Sequence, residues 1–259
     1  MENSSTKRIL SQYDGTSRSN TSDQVIELAI VGPPNKKFPA QLLAEFSQLN
    51  SLTLDEVAVD DDVWEVLACM RHLVKLTVSR CGVIGKGISL LACCKKLRLV
   101  DLTCTNLDDQ YCAEIGALHQ ITELVLVGTR ISSITPIRNL RSLESLYLTG
   151  TSVGDVDMQF LLECKSLKLL HLEATRITDA GVHTLVKLPK LELTRRCVSN
   201  APEPSPHRNR TQCGVSIETT SKRRPLIAGS HQQRIRQWAH RHRALRSRVA
   251  PKSYSVRQS

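Results

Sequence analysis

The segment Leu167–Leu185, LKLLHLEATRITDAGVHTL, decides how this chain folds. It opens with leucines at its first, fourth and sixth places. The last two of these, Leu170 and Leu172, sit two residues apart and fall on the same side of an extended strand, while the residues between them alternate to the other side. EATRIT then breaks the alternation. DAGVHTL brings a carboxylate followed by Val182 and Leu185, three apart, the spacing of one helix face. The unit therefore reads as a short strand, a tight turn and a short helix.

The same LxxLxL string, with conservative replacements, recurs outward from this segment. It starts at Val25, Leu49, Leu73, Leu97, Ile121, Leu143, Leu167 and Leu188, in steps of 24, 24, 24, 24, 22, 24 and 21 residues. Ten residues after each start, from the second onward, stands an aliphatic residue: Val59, Val83, Leu107, Ile131, Val153, Ile177 and Val198. Fifteen after come Trp64, Ile88, Cys112, Met158 and Val182, and eighteen after come Leu67, Leu91, Ile115, Leu161 and Leu185. One such unit cannot bury its apolar face alone, but stacked units share a continuous core. The expected fold is an α/β solenoid of about eight repeats, a horseshoe with a parallel sheet on its concave side and helices on its convex side. A composition that is 41% hydrophobic but only 3% aromatic suits such a layered aliphatic core.

The pattern of LKLLHLEATRITDAGVHTL resembles the cysteine-containing leucine-rich repeats of F-box and GALA-like proteins. LVLVGTRISSITPIRNLRSL, Leu124–Leu143, is similar to the shorter repeat of internalin-like proteins. The mixture resembles leucine-rich-repeat proteins of kinetoplastid parasites. The resemblance covers about two thirds of the chain. It implies the solenoid fold and, for function, protein binding or a ubiquitin-ligase substrate receptor. Residues 1–24 are too few and too polar for an F-box, so the receptor reading rests on analogy alone.

Residues with apparent chemistry are read first as parts of the repeat. The nine cysteines contain no CxxC pair. Cys69 and Cys93 hold equivalent places in successive units, and Cys81 takes the turn position that Thr105, Thr129, Thr151 and Thr175 fill later. Buried repeat cysteines are expected, not metal ligands or nucleophiles. Asp60–Asp61, Asp108–Asp109, Asp155 and Asp179 precede convex helices, where carboxylates cap free amides. GVIGKG at 82–87 lacks the spacing of a phosphate-binding loop. No enzyme, metal or cofactor is expected.

With the register fixed, places three, five and seven of each strand face away from the core. Together these columns hold Glu27, Asp55, Asp101, Glu123, Glu173 and Glu192 against Lys75 and Lys190, a net of −4 that disfavours a phosphate backbone. They also place Val125, Val127, Tyr147 and Leu169 on adjacent strands, with His171 beside them and Glu123, Glu173 and Glu192 as a rim. Read as solvent-facing, this is an interface core for a protein partner. The alternative is lateral packing that stiffens the sheet.

The ends break the pattern. Residues 1–24 are polar and are expected to be disordered. Residues 25–198 form the repeat domain. Residues 199–259 carry 13 Lys and Arg against two Glu, a net of +11, whereas 1–198 sum to −1. This basic tail is expected to be disordered or partly helical. Lys222, Arg223, Arg224, Arg234, Arg236, Trp238, Arg241, Arg243, Arg246 and Arg248 are its candidate nucleic-acid contacts. Three readings stay open for it: an arm for RNA or an acidic partner, a solvated extension, or the end of a truncated or frame-shifted repeat domain. The first 20 residues show no signal-peptide pattern, and no stretch of about 18 apolar residues occurs, so a cytoplasmic or nuclear location is expected. The leading reading is a non-enzymatic scaffold that binds a protein on the concave face. The alternative is an RNA-binding regulator acting through the tail.

Overall fold

A computed structural model of the chain describes residues 4–33, 36–82, 86–191 and 215–217. Its centre is an open sheet whose parallel strands follow the repeat: β2 (Val25–Val31), β3 (Ser51–Asp55), β4 (Lys75–Ser79), β5 (Leu99–Asp101), β6 (Glu123–Val125), β7 (Ser145–Tyr147) and β8 (Leu169–Leu172). Third places pair with third places along the whole ladder, Glu27 with Ser51, then Lys75, Leu99, Glu123, Ser145 and Leu169. This is the leucine-rich-repeat arrangement, in the register expected from LxxLxL.

The register places fourth and sixth residues, such as Leu124 and Leu126, in one continuous core that runs from Ile9 to Leu191. The eleventh-place residues Val59, Leu107, Ile131, Val153 and Ile177 join them. Val83 and Val198, expected in the same column, lie outside the described residues. The eighth place of successive units turns the chain through the left-handed region at Glu56, Arg80, Cys104, Gly128, Gly150 and Ala174, with φ between 55° and 75°. Only two of these are glycine, so four units accept the cost of a left-handed side chain to make the corner. The ninth-place threonines then close it: Thr105, Thr129, Thr151 and Thr175 donate their hydroxyls to the sixth-place carbonyls at 2.7–2.8 Å. Cys81 fills the same place and directs its thiol to the Ser79 and Leu54 carbonyls.

The other side of the sheet is less helical than expected. Three seven-residue α-helices, α2 (Asp62–Ala68), α3 (Asp109–Ile115) and α4 (Asp179–Leu185), share it with 3₁₀ segments at Ala40–Glu45, Ile88–Cys93, Thr135–Asn139 and Asp155–Glu163. The local chemistry explains two of these. Pro136 removes an amide donor at the start of the shortest segment. The Ile88 segment begins at Gly87, whose φ is 118° and whose missing Cβ leaves room for Trp64, 3.1 Å from where it would stand.

Both ends of the sheet differ from expectation. The segment before residue 25 is ordered over most of its length. Helix α1 (Ser4–Leu10) leads into β1 (Asp14–Ser19), which pairs antiparallel with β2. Ile9 and Tyr13 are the physical reason: they are buried against the first repeat, and Tyr13 meets Phe38 edge-on with ring centroids 5.5 Å apart. These two apolar anchors outweigh the polar composition around them. At the far end no strand forms at 188–191. Leu188 and Leu191 plug the core, and β8 is closed instead by an antiparallel strand, β9 (Val215–Ile217). The tail thus contributes one strand, where disorder or helix was expected; its remaining residues lie outside those described.

Candidate protein-binding face

The fifth-place residues Asp101, Val125, Tyr147 and His171 are register partners on four adjacent strands. Strands lie about 4.8 Å apart, so flat rings in this row can stack. Tyr147 and His171 do so, with centroids 4.7 Å apart and planes 8° from parallel. Val125 and Val127 are fully buried and Tyr147 is 2% exposed. The expectation that these three face solvent is therefore corrected. Val125 and Tyr147 each have a register partner on both sides, which removes the flanks of the side chain from water.

These residues are nonetheless separate from the repeat core. Val125, Val127 and Tyr147, together with Leu99, are buried but do not belong to the continuous core cluster. Leu99 belongs with the group and was not assigned to it from sequence. Its register pairing with Glu123 was the available signal. Leu169, His171 and Glu173 are half-buried and form the accessible margin of the patch. Glu123, expected at an exposed rim, is buried between the strands that carry Leu99 and Ser145. Glu192 lies outside the described residues, as do all ten candidate nucleic-acid contacts of the tail.

The acidic columns are also more internally engaged than the net charge suggests. Asp55 accepts a hydrogen bond from Ser79 Oγ at 2.7 Å and is ion-paired with Arg80, whose Nε also reaches Glu56 at 2.8 Å. Asp101 accepts from the Thr103 amide at 2.9 Å and from its hydroxyl at 2.6 Å. A buried carboxylate needs such donors. Sequence reasoning missed Arg80, because its left-handed backbone at the strand end is what turns the side chain back over β3.

The acidic residues of the opposite rim divide into two roles. Asp108 caps α3 as expected, accepting from the Gln110 amide at 3.0 Å and the Tyr111 amide at 3.4 Å. At α4 the cap is Thr178, not Asp179. Asp109 and Asp155 instead reach across to the following repeat. Asp109 binds the Ser132 amide and hydroxyl and the Ser133 amide, and Asp155 binds the Thr178 amide and hydroxyl. Burial raises the Asp109 pKa, but the hydrogen bonds from Ser132 and Ser133 outweigh it and hold the carboxyl below its ordinary value. Asp60 pairs with Lys37. These carboxylates staple neighbouring repeats, and none converges on a common point.

The cysteines follow the core with one shift of place. Cys69 and Cys93 are exposed, whereas Cys94 and Cys164, one residue later in the repeat, are buried. Their thiols meet the carbonyls of Leu67 and Ile137 in the preceding repeat, at 3.1 and 3.4 Å. Burial pushes the thiols up, to about 12 at Cys81, Cys104 and Cys112 and about 11 at Cys94 and Cys164. Among the described residues no group of three or more His, Cys, Asp or Glu side chains is placed to hold a metal ion. No described helix is long and apolar enough to cross a membrane.

No protein-family model and no curated protein matches the chain. Among solved structures it is similar to an internalin of Listeria monocytogenes, at 20% identity over 60% of this chain and 57% of that one, with a TM-score of 0.42. It is also similar to internalin C2 of the same species, at 16% identity over 72% and 88%, with a TM-score of 0.49. A third is the Arabidopsis receptor kinase HAESA, solved with the peptide hormone IDA and the co-receptor SERK1, at 19% identity over 66% and 30%, with a TM-score of 0.49. The chain thus spans little more than half of the first internalin and less than a third of HAESA. The repeat architecture stands on the strand register and the shared core, not on these likenesses. Nothing in the fold or the comparisons supports the RNA-binding arm or the ubiquitin-ligase receptor.

Proposed function

We propose that this chain is a non-enzymatic interaction scaffold that holds an extended segment of a protein partner against its strand face. One observation carries the reading. Leu169, His171 and Glu173 are half-buried on the face that the repeat core does not use, where they border a buried apolar row of Leu99, Val125 and Tyr147. Stacking of the repeats is complete without them, because the inward places already form one continuous cluster. An accessible leucine and imidazole supported from beneath by buried apolar and aromatic side chains have the composition of an interface patch. Leu169, His171 and Glu173 give that face an accessible margin with polar character.

The test places a photoreactive residue at Ser145, half-buried beside Tyr147, and asks what it captures in cells of the source organism. A partner that is captured through position 145, and lost on Leu169→Ser with His171→Ala in a chain that still unfolds cooperatively well above the assay temperature, supports the reading. Capture that ignores both changes places the contact elsewhere.

A further inference from the structure

We infer that β1 is a docking edge for a second copy of this chain, which pairs antiparallel with the same strand about a twofold axis at Thr16. Among the described residues β1 ends the sheet on one side, with β2 as its strand partner. Edge strands are usually blunted by being short or by carrying proline or lysine, because open amides and carbonyls invite further pairing. β1 keeps two further such devices, the charges of Asp14 and Arg18 and a bulge after Arg18, but lacks these. It runs six residues, DGTSRS, with neither proline nor lysine, whereas the interior strands β5, β6 and β7 have three each. Five of its six residues are exposed and the sixth is half-buried.

The sequence of the strand is complementary to itself. A bulge between Arg18 and Ser19 ends the regular ladder, leaving Asp14–Arg18 as the straight portion. Five residues have Thr16 at their middle. An antiparallel pair of two such segments centred on Thr16 sets Asp14 opposite Arg18 of the other copy, twice, by symmetry. Asp14, Thr16 and Arg18 share one face of the strand, so both ion pairs and the central Thr–Thr pair lie together. On the other face Gly15 meets Ser17, two small residues that leave room for close approach. Other registers lose this match: the shift that sets Asp14 opposite Thr16 leaves Ser17 and Arg18 of both copies outside the ladder. The present contact of Arg18 with Glu27 does not compete strongly. It runs through Nη1 at 3.2 Å, and a guanidinium carries five N–H donors, so Arg18 can serve Glu27 and a second carboxylate together.

A contact of one strand and its margin is small, so association should be weak and concentration-dependent. The experiment is sedimentation equilibrium of the full chain from about 5 to 300 µM, on wild type, Asp14→Arg, Arg18→Asp and the double variant. Wild type is expected to pass from monomer to dimer across this range. Each single variant sets like charges opposite each other twice and should raise the dissociation constant about tenfold. The double variant restores the match and should return to the wild-type constant. A mixture of the two single variants should form a heterodimer more tightly than either associates alone. All four positions of charge are exposed, and an unchanged thermal melt confirms that folding is intact. A wild type that stays monomeric throughout overturns the inference. So does a dimer that is indifferent to the single changes, or one that the double variant fails to restore.

Discussion

Tyr147 and His171 come from corresponding places in neighbouring repeats, 24 residues apart in sequence, and lie as a parallel stack on the strand face. The relationship makes the row measurable. Tyr147→Ala removes a ring that is 2% exposed and is expected to cost about 3–4 kcal/mol, the lower part of the range for buried aromatic truncation. His171 is half-buried, and His171→Ala should cost less. The double variant should show a coupling of about 0.5–1.5 kcal/mol in urea unfolding. Strict additivity would remove the stack as an energetic contact.

The register itself is tested by a contrast between faces. Leu126 is an inward residue of the fifth repeat and is fully buried in the continuous core. Leu126→Asp places a carboxylate among aliphatic side chains and should cost at least about 3 kcal/mol or prevent folding. Ser145, on the opposite face and half-buried, should accept Asp at about 1 kcal/mol or less. Chevron or melting data giving equal losses at the two positions would falsify the assigned faces.

That register was legible because the LxxLxL string repeats its apolar places at nearly constant spacing, and each strand inherits its pairing from the one before. Burial of Val125 and Tyr147 was not legible. Alternation says which way a side chain points, whereas its exposure is set by neighbours some 24 residues away and by what else lies near that face. The ends were obscured for a different reason. Ile9 and Tyr13 are isolated apolar residues without periodic support, and β9 is only VSI. Short capping strands borrow their stability from the sheet they close, so their own composition carries little signal.

The N-terminal cap gives a third prediction. Ile9 is fully buried, and the Tyr13 hydroxyl donates to the Lys37 carbonyl at 2.9 Å while Lys36 lies 4.4 Å above its ring. Ile9→Ala is expected to lower stability by about 2–4 kcal/mol. In hydrogen exchange the loss should appear first as faster exchange in β1 and β2, because each repeat contacts only its neighbours. Wild-type protection in β2 after this change would mean that the segment is not a cap.

Thiol reactivity offers a fourth. With pKa values pushed to about 12, Cys81, Cys104 and Cys112 hold almost no thiolate, roughly one part in ten thousand at about pH 8. Iodoacetamide at that pH should therefore label exposed Cys69 and Cys93 within minutes and leave Cys81, Cys94, Cys104, Cys112 and Cys164 until the chain unfolds. Peptide mapping after a short pulse checks the order. Early labelling of Cys112, which α3 buries in the core, would contradict its placement there.

The last prediction uses the carboxylate staple between repeats four and five. Asp109 accepts from the Ser132 amide at 2.7 Å, the Ser133 amide at 3.0 Å and the Ser132 hydroxyl at 2.5 Å. Burial works against its charge, the three donors favour it, and the donors win, so the folded pKa lies below the ordinary value. The sign follows from which state binds protons more readily. The unfolded carboxyl, with its pKa near about 3.9, takes up a proton first as pH falls, which pulls the equilibrium towards the unfolded chain. The contribution of Asp109 is therefore fully present above the unfolded pKa and is lost as pH drops through the folded one. Asp109→Asn removes the charge and that dependence together. Wild type should melt at higher temperature than Asp109→Asn at neutral pH, and the gap should narrow steadily below about pH 4. Ser132→Ala, which deletes one donor and leaves the carboxylate, should narrow the neutral gap only in part. A difference between wild type and Asp109→Asn that stays constant from neutral pH into acid would show that the staple acts through shape alone, without its charge.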